Sequence, residues 1–527
     1  MYLLFLCGEP VYRNIVLPVF FPGLNCYFYP SMNSSSSGID SPQHSGSFSR
    51  FVFKTSLNKK YLLWALAGIV LQLVVFKLCY PFADYITDSY TYIDAATSHS
   101  LVSYRPMGYS RLLQGLHRLT TSDTVLVCLQ FLVLQCGGLF LFFTVRYLFN
   151  LNKTISTVLF LLLLFNPVVL YLSNYVSSDA LYIGVSLCWF AELLWIINRP
   201  NWYQVIEQAI LLFIIFKLRY AALYLPVISI LAFVMSRHKW WYQLSGIVLT
   251  VLPLFIEVKR IQHITKKETG TAIFSAFSGW MAANNALHMY PYITVKNEDF
   301  TSPECVELNT MVKNYFDTVP APLLPYPNAK VDYLWGDNAP LKKFMYHKKA
   351  QKHMAYFNAW HAAAPVFAEY SRTLVRQHPV AFARYFMWPN AKLYIVPPIE
   401  SLLAYNAGLD TVDETAADWF KYKSTRVTSV KKDGQRFLLY PVVYFFTVLN
   451  VVFCVAFGLF LFKRKQQPLT TPLFLSILLA GFFWVIYFLF STYAAPIVLR
   501  FQVFPMIVYI TFSCVLLNRL LPPPKHT

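Results

Sequence analysis

Three carboxylates and two arginines crowd one short stretch of this chain: Asp84, Asp88 and Asp94, then Arg105 and Arg111. Asp84 and Asp88 are four apart, so on a helix they share a face. Like charges so placed repel mildly. They are tolerated when solvated, or when a cation or a basic substrate sits between them. Other charged residues stand at the ends of apolar runs: Asp179, Lys217, Arg219 and Arg500. Charge at membrane depth is expensive and usually faces a cavity. The set suits one chemistry. Arginines grip phosphate in bidentate fashion. A carboxylate takes a proton from a hydroxyl. A second carboxylate orients the acceptor or holds a divalent cation, with magnesium or manganese as candidates for hard oxygen ligands. Fixed cations in a dry site stabilise a leaving phosphate. Plainer readings stand beside these. The acidic stretch reads equally as a solvated loop with interfacial tyrosines. Asp179 reads as a first-turn acid of its helix. Lys217 and Arg219 read as interface anchors that snorkel to headgroups. Arg500, four or five residues inside an apolar run, needs a partner or a cavity.

Apolar segments must position these groups. The 527 residues are 57% hydrophobic, 18% aromatic and only 13% charged. A soluble globular chain carries about 25% charged residues. Mean hydropathy is +0.45. The expected class is an all-α polytopic membrane protein. The net charge of +19 is spread among apolar spans and short loops. That pattern fits membrane topology and anionic headgroups rather than nucleic acid. Five of the nine cysteines, Cys128, Cys136, Cys188, Cys454 and Cys514, lie inside apolar runs. There Cys is a small hydrophobe. No CxxC pair and no Cys/His cluster has metal spacing, so neither zinc nor a disulfide framework is indicated.

Residues 1–30 are apolar but broken by Pro10, Pro18, Pro22 and Pro30. Residues 1–58 therefore read as a poorly ordered tail, with Met32 an alternative start. Bilayer-length runs follow at 61–80, 123–149, 155–174, 179–198, 240–257, 437–462, 471–490 and 497–518. The run 205–236, interrupted at Lys217–Tyr220, reads as two short spans and a hairpin, giving about ten spans in all. With both termini inside, the inner loops hold Arg146 and Lys153, Arg199, Arg237-His-Lys239, Lys463-Arg-Lys465 and Lys525. Each is basic, as the positive-inside rule asks. Three parts follow: a 59–257 membrane module with the acidic first outer loop 81–122, a 258–436 outer loop between spans seven and eight, and C-terminal spans over 437–527.

The 258–436 loop is too long for a connector. It holds 22 Lys and Arg against 15 Asp and Glu. It has a Pro-rich stretch at 319–327 and a basic aromatic segment at 366–396 that reads as an interfacial helix. A solvated domain with lysines for solubility is the other reading.

Four short elements resemble the GT-C superfamily of integral-membrane glycosyltransferases, which includes the protein O-mannosyltransferase and lipid A aminoarabinose transferase families. The first is Asp88 with Tyr92, Ala95 and Ala96, followed by Tyr104-Arg-Pro-Met-Gly-Tyr109. The others are Asn166-Pro167 with Ser177-Ser-Asp179, then Arg372 with Arg376-Gln-His-Pro379, and Arg500-Phe with Phe504-Pro505. Met107 replaces the second proline of the Pro-Pro-Gly-like element. The Trp-Trp-Asp signature of oligosaccharyltransferases is absent, and the first loop lacks the Asp-Glu pair of the eukaryotic O-mannosyltransferases.

The resemblance implies a GT-C-like fold and transfer of a sugar from a polyprenyl-phosphate donor to a lipid, glycan or protein acceptor, with inversion. Asp88 would be the general base, with Asp84 in reserve. Asp179 would be the second acid, and Asp88 and Asp179 together the candidate metal pair. Arg105, Lys217, Arg219 and Arg500 would face the phosphate. Tyr92 and Tyr109 would join the substrate site, and Trp280, Asn284 and Asn285 would line a sugar pocket. A bacterial inner membrane is implied, with the site facing the periplasm or exterior. An endoplasmic reticulum location is the alternative. Two other functions fit a polytopic chain: a lipid or glycan flippase, and a lipid-linked-glycan ligase or polymerase. Transporters bind substrate near mid-membrane, whereas most charges here gather at span ends. Arg146 and Glu192 are exceptions, and Glu257 ends the 240–257 span.

Overall fold

A computed structural model describes residues 46–318, 330–336, 338–463 and 471–521. The 1–31 segment, the Met32 start, the Pro-rich 319–327 stretch, Arg464, Lys465 and Lys525 lie outside the described residues. Among the described residues there is no sheet, only two isolated bridges, Asp84 with Tyr175 and Thr411 with Arg426.

Among the described residues, seven helical segments are long and apolar enough to cross a bilayer. They are Ser56–Cys79 (α1), Asp123–Phe149, Lys153–Asn174, Asp179–Asn198, Gly434–Lys463, Thr471–Ala494 and Leu499–Leu520. The chain is an integral, multi-pass membrane protein of the all-α class. Three further segments were expected as spans. Trp202–Leu218 and Leu225–Met235 have 17 and 11 residues, short for a bilayer. Trp240–Thr269 runs 30 residues, far past the expected end at 257, until Gly270 closes it at φ 77°. Its distal half carries Lys259, Arg260, Lys266 and Lys267, so half the helix is polar. The expected 155–174 span is two helices, broken where Asn166 caps Val168 N at 3.1 Å and Pro167 starts the second.

Some helices have a local reason to begin and end where they do. Between α1 and the next span stand two short helices, Thr87–Thr97 (α2) and Met107–His117 (α3). Helix α4, Asp123–Phe149, starts at Ser122, whose hydroxyl accepts from Val125 N, and stops at Asn150 in the left-handed region. Helix α5, Asp179–Asn198, is buried almost throughout. It packs against α4 so closely that a methyl group on Gly137 would lie 2.3 Å from the Gly184 carbonyl oxygen. One on Gly184 would lie 2.8 Å from the Val133 oxygen. Arg146 is buried in α4 but paired. It donates to Asn58 and to Ser156 at 3.0 Å, and sits 5.0 Å from the Tyr61 ring centre. By contrast, α1 exposes Leu63, Leu66, Leu71 and Leu78 along one face, as a lipid-facing helix does.

The expected 258–436 loop divides by packing. Residues 276–386 form a second core around Trp280, stacked on Trp360 at 3.8 Å. Residues from Tyr394 to Val427 join the main core instead. Within the expected interfacial segment 366–396, Phe367, Tyr370 and Leu374 are buried in that second core. Val380 and Trp388 stay exposed.

The α4–α5 contact yields a paired test. Gly137→Ala and Gly184→Ala each force neighbouring backbone apart and should each lower stability by about 1–3 kcal/mol. Gly138→Ala, where a methyl meets nothing within 4 Å, should leave the unfolding midpoint in detergent nearly unchanged.

Candidate functional site

The bridge at Asp84 sets the geometry of the site. Asp84 N donates to the Asn174 oxygen at 2.9 Å, and Val176 N donates to the Asp84 oxygen at 3.0 Å. The turn leading to α2 and the turn leading to α5 are thereby held side by side. Asp88 lies in the first turn of α2 and Asp179 in the first turn of α5. Gln130 of α4 supports the same turn, donating to the Ser173 and Tyr175 oxygens at 2.7 and 2.9 Å.

Three arginines answer these acids. Arg105, just before α3, donates from Nη2 to Asp88 Oδ1 at 2.5 Å. Arg219, which ends the helix Trp202–Leu218 (α6), pairs with Asp179. Arg500, in the first turn of Leu499–Leu520, lies 3.5 Å from Asp88 Oδ2 and 3.7 Å from Asp179 Oδ2. The five charges form one network, with two negative and three positive members. Phe501 packs under two of them, 5.0 Å from the Arg219 guanidinium and 4.8 Å from that of Arg500. Burial pushes the Asp88 carboxyl up, but Arg105, Arg500 and Arg219 outweigh it and hold its pKa below the ordinary carboxylate value.

Backbone contacts fix where the arginines stand. Asn390 clamps the turn before Arg500, donating to the Ser491, Thr492 and Ala495 oxygens and accepting from Ile497 N. Gly108 lets α3 approach α6, because a methyl there would lie 2.3 Å from the Lys217 carbonyl oxygen. Tyr92 holds Ser178 at 3.0 Å, and Tyr109 donates to Gln130 at 2.8 Å. Both tyrosines are buried behind the network as supports.

A small open cleft, about 30 Å³ in volume, adjoins the network. Arg105, Lys217 and Arg260 line it, with Tyr104, Tyr220 and His361. Lys217 Nζ lies 2.6 Å from Glu257, which Arg260 also binds at 2.8 Å. The His361 Nδ1 lies 2.8 Å from the Phe357 oxygen, so Nδ1 carries the proton. Burial lowers the pKa of that imidazole, which favours the neutral ring.

Sequence reasoning singled out Asp88, Asp179, Arg105, Arg219 and Arg500, and the fold brings all five together. Lys217 lies at the cleft instead. Four other expected site residues stand apart from network and cleft. Asp84 Oδ1 accepts from Tyr85 N at 2.8 Å and Asn406 N at 2.7 Å, so it ties a backbone crossing. Trp280 is buried with its Nε1 on the Trp360 oxygen. Asn284 donates to the Lys330 oxygen, and Asn285 to the Tyr493 and Ala494 oxygens. These three close the loop core and dock it on the span ends. Arg260, Phe501, Asn390 and His361 were missed. Arg260 becomes visible only once Trp240–Thr269 is seen to continue past 257.

The expected metal pair does not fit a divalent cation. Asp88 and Asp179 face three guanidiniums, which take up their oxygens and leave the cluster one charge positive. Among the described residues no three His, Cys, Asp or Glu side chains come together as metal ligands.

Compared with known proteins, the chain matches no family model, no curated protein and no solved structure.

Asp84 offers a test of its structural role. Burial pushes its carboxyl up to about 7, against the pull of the Asn406 and Tyr85 amides. The native state therefore binds more protons than the unfolded chain between about pH 4 and 7, and the Asp84 contribution falls as pH rises through that window. Asp84→Asn should flatten this part of the pH dependence of the unfolding midpoint. Unchanged pH dependence would show that Asp84 does not titrate there.

Proposed function

We propose that the chain is an inverting glycosyltransferase of GT-C type, with a polyprenyl-phosphate-linked sugar as donor. One observation carries the reading. A mostly buried carboxylate, Asp88, sits between two arginines at the edge of a cation-lined cleft. In the proposed reaction an acceptor oxygen attacks the anomeric carbon from the face opposite the phosphate. Its proton passes to an Asp88 oxygen. The bond from the anomeric carbon to the phosphate oxygen breaks, and the electron pair leaves on that oxygen. Arg105, Lys217 and Arg260 of the cleft stabilise the charge that develops there. Asp179 holds Arg219 and Arg500 in place. No step calls on a metal ion, in keeping with the charge of the cluster.

The membrane arrangement proposed with it has ten spans. Trp202–Leu218, Leu225–Met235 and the first half of Trp240–Thr269 expose Ile206, Ile210, Val227, Val234, Val251 and Leu252, as lipid-facing helices would. The positive-inside pattern then puts the cleft and the 258–436 loop on the extracytoplasmic side, which in a bacterial inner membrane is the periplasmic face.

The test is a transfer assay on purified protein in lipid, offered a panel of polyprenyl-phosphate sugars and candidate acceptors. Free polyprenyl phosphate is the readout. Wild type should release it, and Asp88→Asn should release it about 10²- to 10⁴-fold more slowly while retaining its fold. Chelator should leave the rate unchanged. Equal release by wild type and Asp88→Asn would remove Asp88 as the base.

A further inference from the structure

Arg105 stands in two places at once. It is the strongest partner of Asp88, and it is the only member of the five-charge network that also lines the cleft. Its Nη2 makes one hydrogen bond, to Asp88, and its guanidinium lies 4.6 Å from the ring centre of Phe277. A guanidinium has five N–H donors. Among the described residues, the other four have no protein acceptor.

Arg219 and Arg500 are placed differently. Arg219 is committed to Asp179, and Arg500 spans both acids at 3.5 and 3.7 Å. Neither lines the cleft. A ligand phosphate in the cleft thus meets Arg105 before Arg219 or Arg500. A dianion or diester oxygen on Arg105 competes with Asp88 for the same guanidinium. Arg500 and Arg219 stay behind to keep Asp88 from becoming an unpaired buried charge.

Resting on the donor reading above, we propose that Arg105 is a shared positioning residue that exchanges Asp88 for the phosphate of a prenyl-phosphate ligand when that ligand enters the cleft. Before the ligand arrives, Arg105 holds Asp88 and blocks one of its oxygens. Once Arg105 turns to the phosphate, that oxygen is open to an acceptor hydroxyl. The base is thereby exposed only when a donor is present. Every group that faces Asp88 enters the balance: Arg105 before α3, Arg219 at the end of α6, Arg500 in the last helix, Asp179 of α5 and Tyr92 of α2.

The exchange is tested by binding of farnesyl phosphate, with inorganic phosphate as a second arm, to the full-length protein in nanodiscs. Asp88→Asn frees Arg105 and should tighten farnesyl phosphate binding about five- to tenfold. Asp179→Asn removes the same charge from residues that do not line the cleft, and should change affinity less. In an Arg105→Gln background, the gain from Asp88→Asn should vanish. Should Asp88→Asn fail to fold, cryo-electron microscopy of wild type with and without farnesyl phosphate decides the matter. Arg105 should lie on the phosphate, out of hydrogen-bond reach of Asp88. Arg105 still on Asp88 in the bound state, or an Asp88→Asn gain that persists without Arg105, would overturn the exchange and leave the donor reading standing. Failure of every protein to bind farnesyl phosphate would overturn both. Equal binding of inorganic phosphate would identify free phosphate, not a lipid headgroup, as the ligand recognised.

Discussion

Two carboxylates and three guanidiniums share one largely buried volume, and removing either carboxylate strands guanidinium charge there. A buried ion pair contributes little net stability, because desolvation offsets its attraction. Breaking one is different, since an uncompensated charge costs about 3–5 kcal/mol. Asp88, Arg105, Asp179, Arg219 and Arg500 come from five separate segments. The fold must therefore deliver five segments to one point together. This constraint accounts for much of the polar structure around the network.

Several buried polar residues are explained by it. Asp84, Gln130 and Asn174 hold the turns that launch the two acidic helices. Asp123 Oδ2 accepts from Ala83 N at 2.7 Å and from the Tyr422 hydroxyl at 2.8 Å, which ties the end of the long loop to the same crossing. Asn390 does the equivalent for Arg500 from inside that loop. The long segment between Trp240–Thr269 and Gly434–Lys463 is thus part of the site's frame. Its residues clamp the last helix, line the cleft through His361 and give Arg105 an aromatic platform at Phe277.

The charged core of the site was legible because a charge beside an apolar run stands out, whatever its partners. Arg500 inside Pro496-Ile-Val-Leu-Arg-Phe is the clearest case. The helical membrane class followed from composition in the same way, and so did the seven longest apolar helices. What sequence hid was partnership across distance. Asn285 meets backbone 208 residues away, and Asn406 meets Asp84 across 322. Without those contacts, Trp280, Asn284 and Asn285 looked like polar and aromatic groups awaiting a ligand. Helix limits were hidden too. Glu257 looked like the end of a span, but the helix continues and brings Arg260 to the same carboxylate as Lys217.

The sign of the excess charge separates the candidate chemistries. A pair of bare carboxylates attracts a cation, and with it metal-assisted or cation-coupled function. Here the third guanidinium reverses that preference, and Lys217 and Arg260 extend it into the cleft, with Glu257 as the acid that balances part of it. An anion entering the cleft replaces water on the free donors of Arg105 and neutralises charge that the protein leaves uncompensated. A cation entering the same place meets repulsion and finds Asp88 and Asp179 already engaged. Elsewhere in the bundle the balance differs. Among the described residues, Glu192 and Glu207 each bury a carboxyl oxygen without a hydrogen-bond partner. By contrast, Asp88 and Asp179 each lie against arginine side chains, which offset the cost of burying their charge.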